Sequence, residues 1–116
     1  MSLVNLKNIT PVERICGHYG RFVHSKNMTM AFWNIKAGSP LPEHRHGQEQ
    51  IMTLTDGLFE LIVDGERHLL KSGDVFIIPS DALHSGKAIS NCTVIDVFNP
   101  VREDYLEKDY TPVSKS

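Results

Sequence analysis

The sequence predicts an all-β fold built from antiparallel strands. Short runs rich in Val, Ile, Phe and Thr follow one another, and each is closed by Gly, Pro, Asn or Asp. No window between Met28 and Asn99 sustains the helical spacing of apolar residues. Many short strands with regular turns favour a sandwich, jelly roll or barrel, because these architectures close or shield exposed sheet edges. The strand pattern alone does not choose among the three.

Nine segments have the composition of strands. They are Arg14–Cys16, Arg21–His24, Met28–Lys36, Gln50–Thr55, Phe59–Asp64, Arg67–Lys71, Asp74–Ile78, Leu83–Lys87 and Thr93–Phe98. Between the fifth and the sixth, the Asp64-Gly65 pair predicts a two-residue hairpin, because both central residues of a type I′ turn need positive φ. After the last segment, the polar stretch 102–116 predicts either a short helix or an extended strap across the barrel.

The length of 116 residues indicates a single domain. We expect N-terminal strands within 10–37, the main barrel within 38–99 and a tail over 100–116. Twelve Lys and Arg stand against 14 Asp and Glu, without a cluster of like charge. The chain therefore lacks the basic face that nucleic acids require, and we do not expect a nucleic acid as partner.

The two cysteines, Cys16 and Cys92, lie far apart and form no CxxC pair. We interpret them as small buried apolar residues in a reducing compartment rather than as a disulfide or a zinc ribbon. The first ten residues contain no apolar run typical of a signal peptide, and no segment reaches the length of a membrane span. The sequence thus predicts a cytoplasmic protein without a membrane partner.

Three of the six histidines form a pattern typical of a metal site. Residues at i and i+2 of a strand share a face, so His44 and His46 would point to one side, and Gln50 keeps that parity. Arg45 and Glu49 would then face away. A metal needs donors from more than one strand, and His84, about forty residues on, is a natural fourth. The alternative is a set of surface or hydrogen-bonded histidines, which is what most isolated histidines in β proteins are.

The residues around these histidines resemble the two signature motifs of the cupin superfamily. One stretch runs from Gly38 through the histidine pair and Gln50 to Gly57, and the other from Gly73 through Pro79 to His84. This resemblance covers roughly residues 38–88. It implies a double-stranded β-helix, the jelly-roll barrel of cupins, as a single domain. It also implies one divalent metal ion held by His44, His46, Gln50 and His84.

The predicted ligand set influences the chemistry expected of the metal. Many cupins carry Glu where this chain has Gln50, and a neutral amide leaves the ion its full charge. Such an ion would act as a Lewis acid on a hydroxyl or carbonyl oxygen, or lower the pKa of bound water. Imidazole donors do not discriminate among nickel, zinc, manganese, iron and copper, so the metal's identity stays open.

A second group of residues follows the last strand. Asp96 interrupts an apolar run, and a buried carboxylate is costly unless it is paired or used. It could instead face solvent or pair with Arg102, and Phe98 could be an ordinary core aromatic. The run resembles the Asp-x-Phe-x-Pro-x-Arg stretch of the pectin-degradation cupins, which linearise 4,5-unsaturated uronates. That resemblance implies catalytic roles for Asp96 and Arg102 and substrate binding by Phe98 and Arg102.

These observations leave three functions open. The first is a metal-dependent enzyme acting on a small carboxylated sugar, in which Asp96 moves a proton and Arg102 binds the carboxylate. The second is a cupin that binds a small molecule or metal without turnover. The third is a cupin dioxygenase. The family resemblance further implies a homodimer, for which the segment Val12–Val23 offers strands.

Overall fold

The computed structural model describes residues 2–106 and shows ten strands in two antiparallel sheets. The all-β prediction is confirmed. The end of the predicted tail, residues 107–116, lies outside the described residues. The strands are β1 Val12–Ile15, β2 His18–His24, β3 Thr29–Ile35, β4 Pro40–His44, β5 Glu49–Asp56, β6 Leu58–Val63, β7 Glu66–Lys71, β8 Val75–Ile78, β9 His84–Ala88 and β10 Cys92–Asn99.

The two sheets face each other around one apolar core. The larger sheet has the order β1-β2-β3-β10-β5-β8, and the smaller has the order β4-β9-β6-β7. Alternating residues along β3, β5 and β10 are buried, as the two-residue period of a strand requires. Met52 and Leu54 from the larger sheet join Phe59 and Leu61 from the smaller one in the core. The result is the jelly roll that the sequence motifs implied.

The predicted hairpin is present between β6 and β7. Val63 pairs with Glu66, so that Asp64 and Gly65 form the whole connection. Their φ angles are 49° and 81°, both in the left-handed region that a type I′ turn needs. The hairpin prediction is therefore confirmed, and it sets the register of the outer strand of the smaller sheet.

The sequence analysis missed one strand, and this strand carries the first residue of the histidine motif. Residues 40–44 form β4, which the strand-like composition did not indicate, because this segment contains two prolines. Pairing with β9 nevertheless holds it in the smaller sheet, with His44 opposite His84. The chain leaves the strand after His44 and re-enters regular structure only at Glu49, in the larger sheet. His44, His46 and Gln50 therefore do not share one strand face.

The described part of the tail forms a short 3₁₀ helix, Glu103–Leu106, and a second one precedes β1 at Leu6–Asn8. Tyr105 packs against the core from the first of these. Within residues 2–106 no helix is long and apolar enough to cross a membrane. Cys16 and Cys92 are both free thiols; Cys92 is buried, as expected, whereas Cys16 is only half-buried, so the expectation of burial was wrong for Cys16.

Candidate metal centre

The three motif histidines converge where the two sheets meet at one end of the sandwich. His44 ends β4, His84 begins β9, and His46 lies in the connection that leads to β5. The ring centroids of His44 and His84 are 4.1 Å apart, and that of His46 is 5.0 Å from His84. Candidate ligand atoms of the three residues all lie within 4.8 Å of one another. The convergence predicted from the sequence is correct, although strand parity is not its cause.

Each of these histidines is oriented by a backbone carbonyl two residues away. Nδ1 lies 2.8 Å from the oxygen of Pro42 in His44, 2.9 Å from that of Gln48 in His46 and 2.9 Å from that of Ala82 in His84. Because a carbonyl oxygen can only accept, Nδ1 must carry the proton in all three rings. Nε2 is then the unprotonated nitrogen, which is the arrangement common to metal-binding histidines.

Burial favours the neutral form of the three imidazoles. Loss of solvation lowers the pKa of His44 and His46, and it lowers the pKa of His84 to about 4. The nearby charge of Arg102 acts in the same direction on the pKa of each ring. A metal ligand must be deprotonated, so neutral rings are the form that a cation requires.

Gln50 completes the group from β5, and Asp96 fixes the orientation of its amide. Nε2 of Gln50 donates to Oδ1 of Asp96 at 2.8 Å. Its Oε1 therefore points the other way, 3.1 Å from Nε2 of His46. Arg45 and Glu49 are exposed, so the prediction that both face away from the site is confirmed.

The contact between His46 and Gln50 is a test of whether a cation fits here. With Nδ1 protonated, Nε2 of His46 is an acceptor, and Oε1 of Gln50 is an acceptor as well. Two acceptors at 3.1 Å repel unless a positive charge lies beside both. Atoms bound about 2.1 Å from one ion at right angles would be about 3 Å apart. The donor set of His44, His46, Gln50 and His84 thus fits a divalent ion.

Asp96 is buried at the centre of the larger sheet, on the inward face of β10. Its Oδ2 accepts a hydrogen bond of 3.0 Å from Nε1 of Trp33 on β3, while Oδ1 accepts from Gln50 on β5. Only 7% of the residue is exposed, so the alternative of a solvent-facing Asp96 was wrong. Burial raises the pKa of Asp96 to about 7, although the two hydrogen bonds oppose that shift.

Asp96 does not form the alternative ion pair with Arg102, because that guanidinium binds Asp104. Nε and Nη2 of Arg102 donate to the two carboxylate oxygens at 3.0 and 2.8 Å. The guanidinium also lies over the ring of Phe98, 4.7 Å from its centroid. Thr29 holds the backbone in place, since its buried hydroxyl accepts from the Arg102 amide at 3.0 Å.

These residues open on one cavity of about 280 Å³. His44, Gln50, His84, Asp96, Phe98 and Arg102 all line it, so the structure brings the predicted catalytic residues and most predicted ligands together. Its walls are mainly apolar. Four lining residues whose side chains can hydrogen-bond were not predicted as site residues by the sequence analysis, namely Arg14, His18, Trp33 and Tyr105. Of these, Trp33 carried a signal, because it is the single tryptophan of the chain and lies in a predicted strand.

Comparisons with known proteins agree with this architecture. A family model described as a cupin domain matches residues 31–98. The pectin degradation protein KdgF of Dickeya dadantii is 30% identical over 84 residues, which cover 71% of this chain and 76% of that protein. The structure of KdgF from a Halomonas species superposes with a TM-score of 0.84 at 25% identity, covering 90% of this chain and 98% of that one.

A third similarity is local. Quercetin 2,3-dioxygenase of Bacillus subtilis is 46% identical over 54 residues, which is 47% of this chain but only 16% of that much longer protein. The match therefore concerns one segment of quercetin 2,3-dioxygenase, and most of that longer protein has no counterpart in this chain.

Proposed function

Because this chain belongs to the cupin domain family, we propose that it is a metal-dependent enzyme that linearises 4,5-unsaturated uronates from pectin or alginate breakdown. The observation that carries the proposal is the shared cavity, where Asp96, Phe98 and Arg102 line the same space as three of the four candidate metal ligands, His44, Gln50 and His84. The similarity to KdgF supports it, since it covers 76% of the Dickeya protein in sequence and 98% of the Halomonas protein in structure.

In this proposal His44, His46, Gln50 and His84 hold one divalent ion. When bound, the ion would supply Lewis-acid polarisation of a substrate oxygen. All four protein ligands are neutral, since the described group contains no carboxylate among its donors. An ion that keeps its full charge suits Lewis-acid chemistry.

The reaction is an isomerisation, so no atom is gained or lost. The anomeric hydroxyl gives up its proton, the bond between the anomeric carbon and the ring oxygen breaks to leave an aldehyde and an enolate, and the enolate takes a proton on carbon to become a ketone. Asp96 is proposed to carry the proton, because its carboxylate lines the cavity beside Gln50. Arg102 would bind the substrate carboxylate and Phe98 would pack against the sugar ring.

The proposal is tested by the ultraviolet absorbance of the substrate, which its conjugated double bond produces. Protein loaded in turn with nickel, zinc, manganese, iron and copper should remove that absorbance, whereas chelator-treated protein should not. Asp96→Asn should remove most of the rate, and Asp56→Asn, an exposed change on β5, should keep it. A constant absorbance with every metal would exclude the proposed reaction, and full activity of Asp96→Asn would exclude the proposed role of Asp96 in it.

A second candidate function is oxygen-dependent chemistry, which the local similarity to quercetin 2,3-dioxygenase favours. The apolar walls of the cavity, such as Met52, Leu61 and Ile78, would suit an aromatic substrate. Assays without oxygen separate the two enzymes, because isomerisation consumes none. A binding protein without turnover is the third candidate, and it would show ligand-dependent stabilisation with no product.

The proposal also includes a cytoplasmic homodimer that binds small molecules and neither nucleic acid nor membrane. The sequence-based expectation assigns the dimer contact to Val12–Val23. The outer face of the larger sheet supports a broader contact that includes this segment, because Val23, Met30, Val97, Ile51 and Ile77 lie in register across five adjacent strands. Met30, Ile51 and Ile77 of this row are exposed.

A further inference from the structure

Two arginines converge on one carboxylate at the edge of the cavity. Asp104 accepts two hydrogen bonds from Arg102 through its carboxylate. It also forms an ion pair with Arg14, whose Nη2 lies 3.7 Å from Oδ2 of Asp104. In addition, Nη1 of Arg14 donates to the backbone oxygen of Asp104 at 3.3 Å. Arg14 lies on β1, 90 residues before Asp104 in sequence. Both arginines line the cavity, and their side chains are only 16% and 11% exposed.

The aromatic rings around this cluster hold the two guanidinium groups in place. Arg102 lies 4.1 Å and Arg14 lies 4.9 Å from the ring centroid of Tyr105. Tyr105 in turn stacks on Phe22 with centroids 4.5 Å apart. A guanidinium packed on an aromatic ring loses little freedom when it binds an anion, so the cluster is prepared for carboxylate recognition.

The cluster is also close to the candidate metal centre. The ring of Phe98 lies between them, 4.7 Å from the Arg102 guanidinium and 5.5 Å from the ring of His46. A ligand that rests on Phe98 could therefore present hydroxyl oxygens on the side of the histidines and a carboxylate on the side of the arginines. Sugar acids have that distribution of groups around one ring.

We propose that Arg14 and Arg102 together form the carboxylate-binding site of the cavity, and that Asp104 is an internal carboxylate which the acidic group of the ligand displaces. Arg102 donates two of its five N–H groups to the carboxylate of Asp104. Because Asp104 sits in a short 3₁₀ helix and belongs to neither sheet, it can leave the arginines without breaking a strand. The inference rests on the proposed function, which supplies the carboxylated sugar as ligand class.

Binding of two sugars that differ in one group tests this inference without turnover. D-galacturonate and D-galactose share a ring, but only the first has a carboxylate. The full-length protein, with and without added Zn²⁺, should bind galacturonate more tightly by calorimetry. Arg14→Gln should raise the Kd for galacturonate roughly tenfold and leave the Kd for galactose unchanged, because a charge-assisted hydrogen bond is lost. Arg67→Gln, on the smaller sheet, is the matched control.

Substitution of Asp104 should change the Kd for galacturonate in the opposite direction to substitution of Arg14. Asp104→Asn should lower the Kd for galacturonate, since the internal competitor loses its charge, whereas Glu103→Gln should not change it. If Arg14→Gln does not fold by circular dichroism, Arg14→Lys should give an intermediate Kd, because it keeps the charge and loses the fork.

The inference would be overturned if the wild type bound the two sugars with equal Kd or did not measurably bind galacturonate. It would also be overturned by an unchanged Kd for galacturonate in the Arg14 variants, or by weaker galacturonate binding in Asp104→Asn. Failure of the proposed function has a separate signature. In that case unsaturated uronates are not converted, while the preference for the carboxylated sugar and its loss in Arg14→Gln remain.

Discussion

The side-chain amide of Gln50 is held by the buried carboxylate of Asp96 at 2.8 Å, and this contact decides which atom of Gln50 faces the histidines. A carboxylate only accepts, so it binds the amide nitrogen and leaves Oε1 directed towards His46. Asp96 thereby orients a candidate metal ligand. The same carboxylate also lines the cavity, where the proposed reaction needs a proton carrier.

Asp96→Asn should weaken metal binding as well as catalysis. The new amide offers one acceptor to two donors, Trp33 and Gln50, which both bind the carboxylate in the wild type. If Gln50 turns its amide to accept from the new amide group, its nitrogen faces His46 and repels a cation. We expect metal affinity to fall about 10- to 100-fold, as when other residues supporting metal ligands are lost. Competition with a chromophoric chelator measures it, and an unchanged affinity would contradict the orienting role of Asp96.

Metal binding should stabilise the folded protein, because the unfolded chain does not preserve the histidine cluster. At a free metal concentration about 100 times Kd, the free energy of unfolding should rise by about 2.7 kcal/mol. His84→Ala should abolish the increase, since this residue faces His44 across β4 and β9. His68→Ala, on the outer strand β7, should keep it. Equal metal-induced shifts of Tm in all three proteins would place the metal elsewhere.

The sequence motifs predicted the composition of the site better than its construction. Strand parity led to residues that do lie close together, but for the wrong reason, because His44 and Gln50 belong to different sheets. What brings them together is the pairing of β4 with β9 and of β5 with β10, and such long-range pairings cannot be derived from the local pattern of one strand. The glycines and histidines at fixed offsets predicted the outcome because they characterise the whole fold.

The sequence did not predict the partners of the buried carboxylate of Asp96 or those of Arg102. Asp96 could be recognised as unusual in an apolar strand, but its hydrogen bond to Trp33 joins residues 63 positions apart. Arg14 had no distinguishing local pattern at all. It reaches the cavity because β1 lies at the edge of the larger sheet, where the tail passes close to it.

Acidification should destabilise the metal-free protein, in part through His18. This residue is 4% exposed, and burial lowers its pKa, although the hydrogen bond to the Pro40 carbonyl opposes the shift. The unfolded chain binds a proton at about pH 6.5, where the folded protein does not. Stability from His18 is therefore complete above that pH and decreases as the pH falls below it.

The measurement is urea unfolding with chelator at pH 7.5 and 5.5. His18→Gln, which can still donate to the Pro40 carbonyl, should show a smaller loss of stability between the two pH values than the wild type. His68→Gln should lose as much as the wild type. If His18→Gln and the wild type lose the same free energy, His18 does not contribute to the acid sensitivity.

Gly57→Ala should destabilise the fold by about 2 kcal/mol or more. Gly57 connects β5 to β6 at a φ of 109°, and an added Cβ would lie 2.5 Å from the carbonyl oxygen of Asn91. Gly38 is the matched control, because its φ is also positive at 83° while no atom lies within 4 Å of an added Cβ. Gly38→Ala should cost about 1 kcal/mol by denaturant unfolding. Equal losses in the two variants would mean that the Asn91 contact adds nothing.

Self-association should depend on the outer face of the larger sheet. Ile51 and Ile77 are cross-strand neighbours on β5 and β8 and are 41% and 62% exposed. Apolar side chains that form a continuous row over several strands usually mark an interaction surface, whereas isolated ones do not. Two such rows facing each other about a twofold axis would bury both. We therefore expect the wild type to be a dimer by size-exclusion chromatography with light scattering.

The double variant Ile51→Lys with Ile77→Lys should be a monomer, because burying lysines against the same row of a second copy would be costly. It should keep the circular dichroism spectrum of the wild type, since both side chains point away from the core. Leu69→Lys places a lysine at an exposed position of β7, on the smaller sheet, and should leave the dimer intact. If the dimer persists in the double variant but dissociates in Leu69→Lys, the dimer contact lies on the smaller sheet instead. If the dimer dissociates only when Val12–Val23 is changed, the dimer contact is confined to the N-terminal strands.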